Sequence, residues 1–272
     1  MTKAVLNRTL RATVIWMLAV LIASGGVAEV QARGDRATAA EPTAANSKLP
    51  DQAADVRRLF VELTKEWPDN RTINVVFHGH SVPAGYHQTP QVKPFESYPF
   101  MVYQGLNARF PTAVLNTITT AIGGENSVQG AARFRRDVLS HRPDLVFIDY
   151  AINDRSLPLD EVERAWRDMI RVARENHVPV VLLTPTGTQP DDLSNPRDPL
   201  SIRAELIRRL GREYELPVGD VSARWQEALD AGTPKESLLS HYFHPNEAGH
   251  HIAAAEILST IDEMRAEVNQ AS

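Results

Sequence analysis

The chain has 272 residues, enough for one sizeable domain with some additional sequence. Hydrophobic residues make up 43% of it and charged residues 23%, which are ordinary values for a globular protein with a full core. The formal net charge of -5 gives no basic footprint for nucleic acid, and a chain without cysteine has neither disulfides nor thiolate metal sites.

The first 32 residues have the pattern of a secretory signal peptide. Three basic residues stand in the first 11 positions, an apolar run covers 12–22, and small residues offer cleavage after Ala28 or Ala32. The alternative is an uncleaved membrane anchor, although the apolar run is shorter than the ~20 residues that a spanning helix prefers. We therefore expect a secreted or periplasmic protein that meets a membrane only if this segment is retained.

Residues 33–50 are small and polar and show no periodicity. This composition predicts a flexible linker, because such a segment cannot bury enough apolar surface to order itself. The folded domain is therefore expected over residues 51–272.

Within this domain, short apolar runs alternate with amphipathic stretches. The runs predict strands over 73–77, 113–115, 145–148 and 180–183, with a weaker fifth over 217–221. Because the runs are rich in β-branched residues and lack polar alternation, we expect strands of a parallel sheet that are buried on both faces.

The stretches between the runs have helical periodicity. Apolar residues recur every three or four positions before the fourth run and again near the end of the chain, at Val162, Trp166, Met169 and Ala173 and at Ala253, Ile257, Ile261 and Met264. Alternating strands and helices predict a three-layer α/β/α sandwich with a parallel sheet of about five strands in a single domain.

Ser81 is the candidate nucleophile, because it follows the first predicted strand and open α/β sheets collect their chemistry beyond the carboxyl ends of strands. A serine hydroxyl needs a base within hydrogen-bond reach to become a nucleophile. By itself, a serine at such a turn more often caps a helix. The nucleophile elbow of α/β-hydrolases is a poor match, since Pro83 stands where that turn needs glycine.

Partners for this serine are found after later strands. Gly124 lies in a turn where the missing side chain lets a backbone N–H approach a ligand, and Asn153 offers a side-chain amide. With the Ser81 N–H they are candidate donors to an oxyanion. Taken singly, Gly124 and Asn153 are also common turn formers. His244, just before the last helix, is the candidate base, although alone it is equally well a solvated loop histidine.

Four stretches of the sequence together resemble blocks of the SGNH/GDSL hydrolase superfamily. In chain order they are FHGHSVPAGY, NTITTAIGGENSVQGAARF, DLVFIDYAINDR and HPNEAGHHIAAAEI. The resemblance implies a flavodoxin-like sandwich and serine esterase chemistry without a cofactor. By matching position, it makes Ser81 the nucleophile, Gly124 and Asn153 the oxyanion donors and His244 the base.

The chain departs from the blocks of the superfamily in three places. Gly79-His80-Ser81 stands for GDS and 151–154 for GxND, and neither change removes a catalytic group. The aspartate that should precede the base by three residues is His241. This aspartate normally holds the histidine tautomer and stabilises the imidazolium. We expect a backbone carbonyl to orient His244 instead, giving a Ser–His dyad; the alternative is a carboxylate from elsewhere in the chain.

Six histidines near the predicted strand ends raise the question of a metal: His78, His80, His241, His244, His250 and His251. No HExxH-type helix is present, and zinc needs three or four converging ligands, so we expect no metal.

The sequence thus predicts an extracytoplasmic serine ester hydrolase that removes O-acyl (acetyl) groups from a carbohydrate or a related small ester. Four residues in the loop after Ser81 either contact a polar ring of the substrate or are ordinary surface residues: Tyr86, His87, Lys93 and Phe95. The loop over 185–199 either borders the pocket or merely connects two elements. The alternatives are a catalytically impaired carbohydrate-binding homologue, suggested by His241, and an acyltransferase that uses the same serine. The oligomeric state is left open.

Overall fold

A parallel five-stranded sheet forms the middle layer of the structure, a computed structural model that describes residues 49–270. In chain order the strands are β1 (Thr72–Gly79), β2 (Val114–Thr119), β3 (Leu145–Asp149), β4 (Val180–Leu183) and β5 (Val218–Gly219). They lie in the order β2-β1-β3-β4-β5, and every neighbouring pair is parallel. Each strand overlaps a predicted run, and the order is that of flavodoxin-like sheets, so the predicted fold is confirmed.

Eight α-helices surround the sheet within residues 49–270. They are α1 (Gln52–Leu63), α2 (Tyr98–Arg109), α3 (Ser127–Asp137), α4 (Ala151–Asp154), α5 (Leu159–Glu175), α6 (Pro199–Tyr214), α7 (Val221–Asp230) and α8 (Glu247–Gln270). Helices α1, α2 and α7 pack against α8, whereas α3 and α6 pack against α5. Two separate helix groups and the sheet make up the three layers. Short 3₁₀ helices cover Pro94–Glu96, Leu139–His141 and Lys235–Leu238.

The core lies between the sheet and these helices. Strands β3 and β4 are buried at every position, and the rings of Phe77 and Phe147 stack with centroids 4.8 Å apart. Each fully buried side chain of this size contributes about 1.5–3 kcal/mol of hydrophobic free energy. The predicted apolar faces of α5 and α8 are buried as expected: Val162, Trp166, Met169, Ala173, Ala253, Ile257, Ile261 and Met264.

Strand β2 differs from the expectation that all strands are buried on both faces. Its burial alternates, and Val114 is 47% exposed. The reason is its position at the edge of the sheet, where β1 is its only neighbour among the strands of residues 49–270.

A short antiparallel hairpin, which the sequence did not predict, precedes α8. It consists of β6 (Leu239–His241) and β7 (His244–Pro245), with His241 paired to His244. Asn246 then caps α8 by accepting a hydrogen bond from the Gly249 N–H at 3.1 Å. The hairpin and this cap fix the backbone position from which the His244 side chain extends.

The predicted signal peptide and most of the predicted linker lie outside the described residues. Within residues 49–270, no helix has both the length and the apolar character that crossing a membrane requires.

Candidate active site

Ser81 lies in the turn that follows β1 and is nearly buried, with 8% of its surface exposed. The turn is tight because β1 and β3 approach closely there: a Cβ on Gly79 would lie 2.4 Å from the Asp149 carbonyl oxygen. Glycine is therefore required two residues before the serine. The Gly79 carbonyl also accepts a hydrogen bond from the Ile122 N–H at 3.0 Å, which ties the end of β1 to the loop after β2.

The predicted base and nucleophile meet, although 163 positions separate them in the chain. His244 Nε2 lies 3.1 Å from Ser81 Oγ, which is hydrogen-bond distance, and His244 itself is buried. The contact forms because the β6–β7 hairpin returns the end of the chain to the carboxyl end of β1. An imidazole at this distance can accept the hydroxyl proton.

His244 is oriented by a backbone carbonyl rather than by a carboxylate. Its Nδ1 lies 2.9 Å from the carbonyl oxygen of His87, in the loop after Ser81. This carbonyl only accepts hydrogen bonds, so Nδ1 carries the hydrogen and Nε2 is free to accept from Ser81. His241 lies beside His244 with ring centroids 5.9 Å apart and does not take the aspartate's place. Of the two expected orienting groups, the structure has the carbonyl.

The surroundings of His244 favour its neutral form. Burial lowers the pKa of His244, the hydrogen bond to the His87 carbonyl opposes this, and repulsion from His241 and His80 lowers the pKa further. A histidine with a lowered pKa is neutral at pH 7 and so is ready to act as a base.

Gly124 and Asn153, the two oxyanion donors predicted besides the Ser81 N–H, are connected through Glu125. Gly124 has a φ of +81°, which favours glycine, and a Cβ there would meet no atom within 4 Å. The Asn153 side chain donates from Nδ2 to the Glu125 carbonyl at 2.8 Å. One N–H of the amide remains for a ligand. Within residues 49–270, no group accepts a hydrogen bond from the Gly124 N–H.

Tyr86 connects the histidine to the glycine turn. Its ring lies 5.8 Å from the His244 ring, centroid to centroid. On its other side, a Cβ added to Gly123 would lie 2.8 Å from the Tyr86 ring. The two halves of the site are thus packed against the Tyr86 side chain, which the sequence left open as either a contact to a polar ring or ordinary surface.

A buried polar network beneath the glycine turn was missed by the sequence analysis. Arg133 Nε donates to both carboxylate oxygens of Glu125 at 2.8 and 2.9 Å, and the Tyr150 hydroxyl donates to Glu125 at 2.9 Å. His78 Nε2 lies 3.1 Å from the Tyr150 hydroxyl, and its Nδ1 lies 2.9 Å from the Thr120 hydroxyl. The sequence had no local signal for it, because helical spacing predicts contacts between residues three or four positions apart, not eight.

Other predicted site histidines are part of the packing. His80 is fully buried; its Nδ1 accepts from the Val82 N–H at 3.2 Å, and its Nε2 lies 3.3 Å from an Asp149 carboxylate oxygen without good hydrogen-bond geometry. The buried His250 accepts from the Tyr98 N–H at 3.3 Å. In the described part of the chain, no three His, Asp or Glu side chains converge as metal ligands would.

The other substrate contacts proposed from the sequence are Lys93, Phe95 and the loop over 185–199. Lys93 forms an ion pair with Glu96 at 2.8 Å, and Phe95 is 75% exposed. The loop over 185–199 does border the site, since Asp191 and Pro199 line a cleft together with Asn153.

Several known proteins with a similar sequence or fold are esterases by name. An acetylxylan esterase of Geobacillus stearothermophilus is 24% identical over 168 residues, which cover 57% of this chain and 76% of that protein. The crystal structure of Axe2, an acetylxylan esterase from the same organism, has a TM-score of 0.61 at 22% identity and covers 70% of this chain and 94% of its own.

A two-domain esterase (CEX) active on acetylated mannans has a TM-score of 0.64 at 24% identity. The similarity covers 77% of this chain and 53% of that one, so the chain spans about half the length of this esterase. At these identities the structures show a shared fold.

A match to the GDSL-like lipase/acylhydrolase family spans residues 77–252, which is more than half of the chain and includes Ser81, Gly124, Asn153 and His244. Together with the resemblance of four separate sequence blocks, this confirms the predicted superfamily and the class of enzyme. The chain is an esterase that belongs to the GDSL-like lipase/acylhydrolase family of the SGNH/GDSL superfamily.

Proposed function

We propose that this protein is an extracytoplasmic serine esterase that removes O-acetyl groups from a carbohydrate through an acyl-enzyme on Ser81. The observation that carries the proposal is the 3.1 Å contact between Ser81 Oγ and His244 Nε2, with His244 held from behind at 2.9 Å. The relatives named for acetylxylan and acetylated mannans support acetylated glycans as the substrate class. Export rests on the pattern of residues 1–32.

In the proposed reaction, Ser81 Oγ attacks the acetyl carbonyl carbon while His244 Nε2 takes the hydroxyl proton. The carbonyl oxygen becomes an oxyanion that accepts hydrogen bonds from the N–H groups of Ser81 and Gly124 and from the Asn153 amide. When the tetrahedral intermediate collapses, the sugar oxygen leaves and takes the proton from His244. Acetate remains esterified to Ser81.

Deacylation repeats the sequence with water as the nucleophile. His244 removes a proton from water, the resulting hydroxide attacks the acyl carbon, and Ser81 leaves with the proton returned by His244. A neutral His244 is needed at the start of both half-reactions, which agrees with the effect of burial on its pKa. The His87 carbonyl keeps the ring in one tautomer throughout but adds no negative charge.

The test is acetate release from acetylated xylan and acetylated mannan, beside p-nitrophenyl acetate turnover, by the protein lacking residues 1–32. We expect Ser81→Ala to lower kcat on every substrate by at least about 10³-fold, because the nucleophile is lost. Ser222→Ala is the matched control, since Ser222 is another buried serine whose hydroxyl donates only to the Pro185 carbonyl, at 2.7 Å. It should retain activity.

The outcomes separate the proposals. Equal turnover by the wild type and Ser81→Ala would exclude the serine mechanism. Glycan binding without any acetate release would favour the impaired carbohydrate-binding homologue, and acetyl transfer to an added sugar in place of acetate release would favour an acyltransferase. Recovery of the chain from the extracytoplasmic fraction with its N-terminus near residue 29 or 33 would support export.

A further inference from the structure

The tip of the β6–β7 hairpin presents two aromatic side chains to solvent beside the catalytic histidine. Tyr242 is 58% exposed and Phe243 is 36% exposed, and they form the two-residue turn between His241 and His244. Two adjacent large aromatic residues at the tip leave apolar surface open to solvent, which is typical of binding sites.

Both rings of the tip are held in place. The Phe243 ring lies over the Arg155 guanidinium, with 4.8 Å between the guanidinium carbon and the ring centroid, and the Tyr242 and Phe243 rings meet edge to face at 5.8 Å. The Tyr242 carbonyl accepts a hydrogen bond from the Gln189 N–H at 2.8 Å. An exposed aromatic pair that is already ordered loses little conformational entropy when a ligand covers it.

Arg155 connects the aromatic tip to a cleft beside Asn153. The cleft has a volume of about 430 Å³ and is lined by Ile152, Asn153, Arg155, Ser156, Asp191 and Pro199. Arg155 Nε donates to the Ile152 carbonyl at 2.7 Å, and the guanidinium also forms an ion pair with Asp191. Arg155 therefore lies between the cleft, which Asn153 also lines, and the ring of Phe243.

The charges of this cleft are balanced within the protein. The Arg155 guanidinium is paired with the nearly buried Asp191 carboxylate, which also accepts a hydrogen bond from the Thr188 hydroxyl. A ligand in the cleft thus meets polar groups but no uncompensated charge, and the apolar Phe243 ring lies on the far side of Arg155. A neutral pyranose ring, with hydroxyl groups at its rim and C–H groups on its face, matches this chemistry.

We propose that Tyr242, Phe243 and the Arg155–Asp191 cleft form a subsite for a neutral sugar unit adjacent to the one that carries the acetyl group. The inference rests on the proposed function, since it names how the glycan of that reaction is recognised. It gives the two aromatic residues of the HYFH turn a role in substrate choice. The subsite would select a chain of sugars over a small acetyl ester.

The first test compares kcat/KM for an acetylated xylo-oligosaccharide with kcat/KM for p-nitrophenyl acetate. We expect the ratio of the two to fall about tenfold in Phe243→Ala, chiefly through KM for the oligosaccharide, because a stacked ring is lost. Phe243→Tyr keeps the ring and should keep the ratio. Trp67→Ala is the matched control: Trp67 is 85% exposed but precedes the amino end of β1, whereas the site lies at the carboxyl ends of the strands.

The second test measures binding without turnover. Calorimetry of Ser81→Ala with an unacetylated xylo-oligosaccharide should show binding that weakens about tenfold when Phe243→Ala is added. The same oligomer carrying uronic acid groups should bind no more tightly than the neutral one.

Three results would overturn the subsite: an unchanged kcat/KM ratio in Phe243→Ala, an equal loss on both substrates, or tighter binding of the acidic oligomer. An equal loss would mean that the tip only supports His244. Failure of the proposed function has a different signature, because glycan binding that depends on Phe243 would then persist while acetate release is absent or independent of Ser81.

Discussion

His244 Nδ1 is hydrogen-bonded to the carbonyl oxygen of His87, at 2.9 Å, in a family where an aspartate three residues before the histidine is expected in this place. The carbonyl performs one of the two tasks of that aspartate, since it holds the tautomer in which Nε2 faces Ser81. It does not perform the other, because a neutral dipole stabilises an imidazolium less than a carboxylate does. His241, at the aspartate's position, adds repulsion to a protonated His244.

The kcat/KM of the wild type should therefore stay high at acidic pH, and His241→Asp should make it fall at a higher pH. Burial and His241 lower the pKa of His244, so the base stays neutral below its ordinary pKa of about 6.5 and kcat/KM should hold to lower pH. In His241→Asp a negative charge replaces a repulsive ring, the pKa of His244 rises, and the acidic limb moves up. The rise in kcat should be less than about tenfold, because the tautomer is already correct.

The check is kcat/KM for p-nitrophenyl acetate between pH 4 and 9 in both proteins. His251→Asp is the control, because His251 is exposed and lies on α8. An acidic limb of the wild type above pH 6.5, or one that His241→Asp does not move, would contradict the assignment of His244 as the base.

Asn153→Ala should lower kcat for ester hydrolysis by about 10²–10³-fold with little change in KM, because an oxyanion donor acts mainly in the transition state. Its amide also donates to the Glu125 carbonyl at 2.8 Å, so part of the loss would come from a looser Gly124 turn. Asn153→Asp keeps the shape but removes the donor and should be at least as slow. Steady-state kinetics measure this, and a loss confined to KM would argue against an oxyanion role.

Arg133→Met should destabilise the fold by about 3–5 kcal/mol, because it leaves the Glu125 carboxylate buried without its cation. The double variant Arg133→Met/Glu125→Gln should recover a substantial part, since it removes the stranded charge. Urea denaturation gives the free energies of unfolding. The exposed pair of Arg171 and Glu175 provides the comparison: Arg171→Met should cost about 0.5 kcal/mol or less. Similar effects of the two arginine substitutions would contradict a buried network.

His78 should make the fold sensitive to acid. Burial lowers the pKa of His78 to about 3, whereas the unfolded chain has a histidine pKa of about 6.5. Between these values the unfolded chain binds the extra proton, so the free energy of unfolding falls as pH falls, by about 3 kcal/mol from pH 6.5 to pH 4. Well above pH 6.5, His78 is neutral in both the folded and the unfolded state, and this loss of stability is absent.

His78→Gln should flatten this slope while losing about 1–3 kcal/mol at pH 7, because hydrogen bonds to Thr120 and Tyr150 are disturbed. Denaturant titrations at pH 4, 5, 6 and 7 separate the two effects. His250 contributes in the same direction, since burial also lowers its pKa to about 3, but its share is common to both proteins. An equally steep slope in the variant would mean that His78 is charged in the folded state.

The sequence by itself determined the sheet, its parallel strands and the chain order of Ser81, Gly124, Asn153 and His244 at the strand ends. These features depend on local patterns, namely apolar runs of strand length, helical spacing and glycine at turns. For the same reason, the prediction of the apolar face of α5 is correct: all four of its residues are buried. The exposed alternation of β2 was not foreseen, because being at an edge depends on strand order rather than on the run itself.

Only the tertiary structure decided what completes the site. The partner of His244 is a backbone carbonyl 157 positions away, and a carbonyl has no residue identity that a motif can reveal. Tyr150 contacts Arg133 and Glu125, 17 and 25 positions earlier in the chain, and these contacts join different elements. The contact of Phe243 with Arg155 does the same. Their geometry depends on how helices and loops pack over the carboxyl ends of the strands. Side-chain distances there follow from packing and not from spacing along the chain.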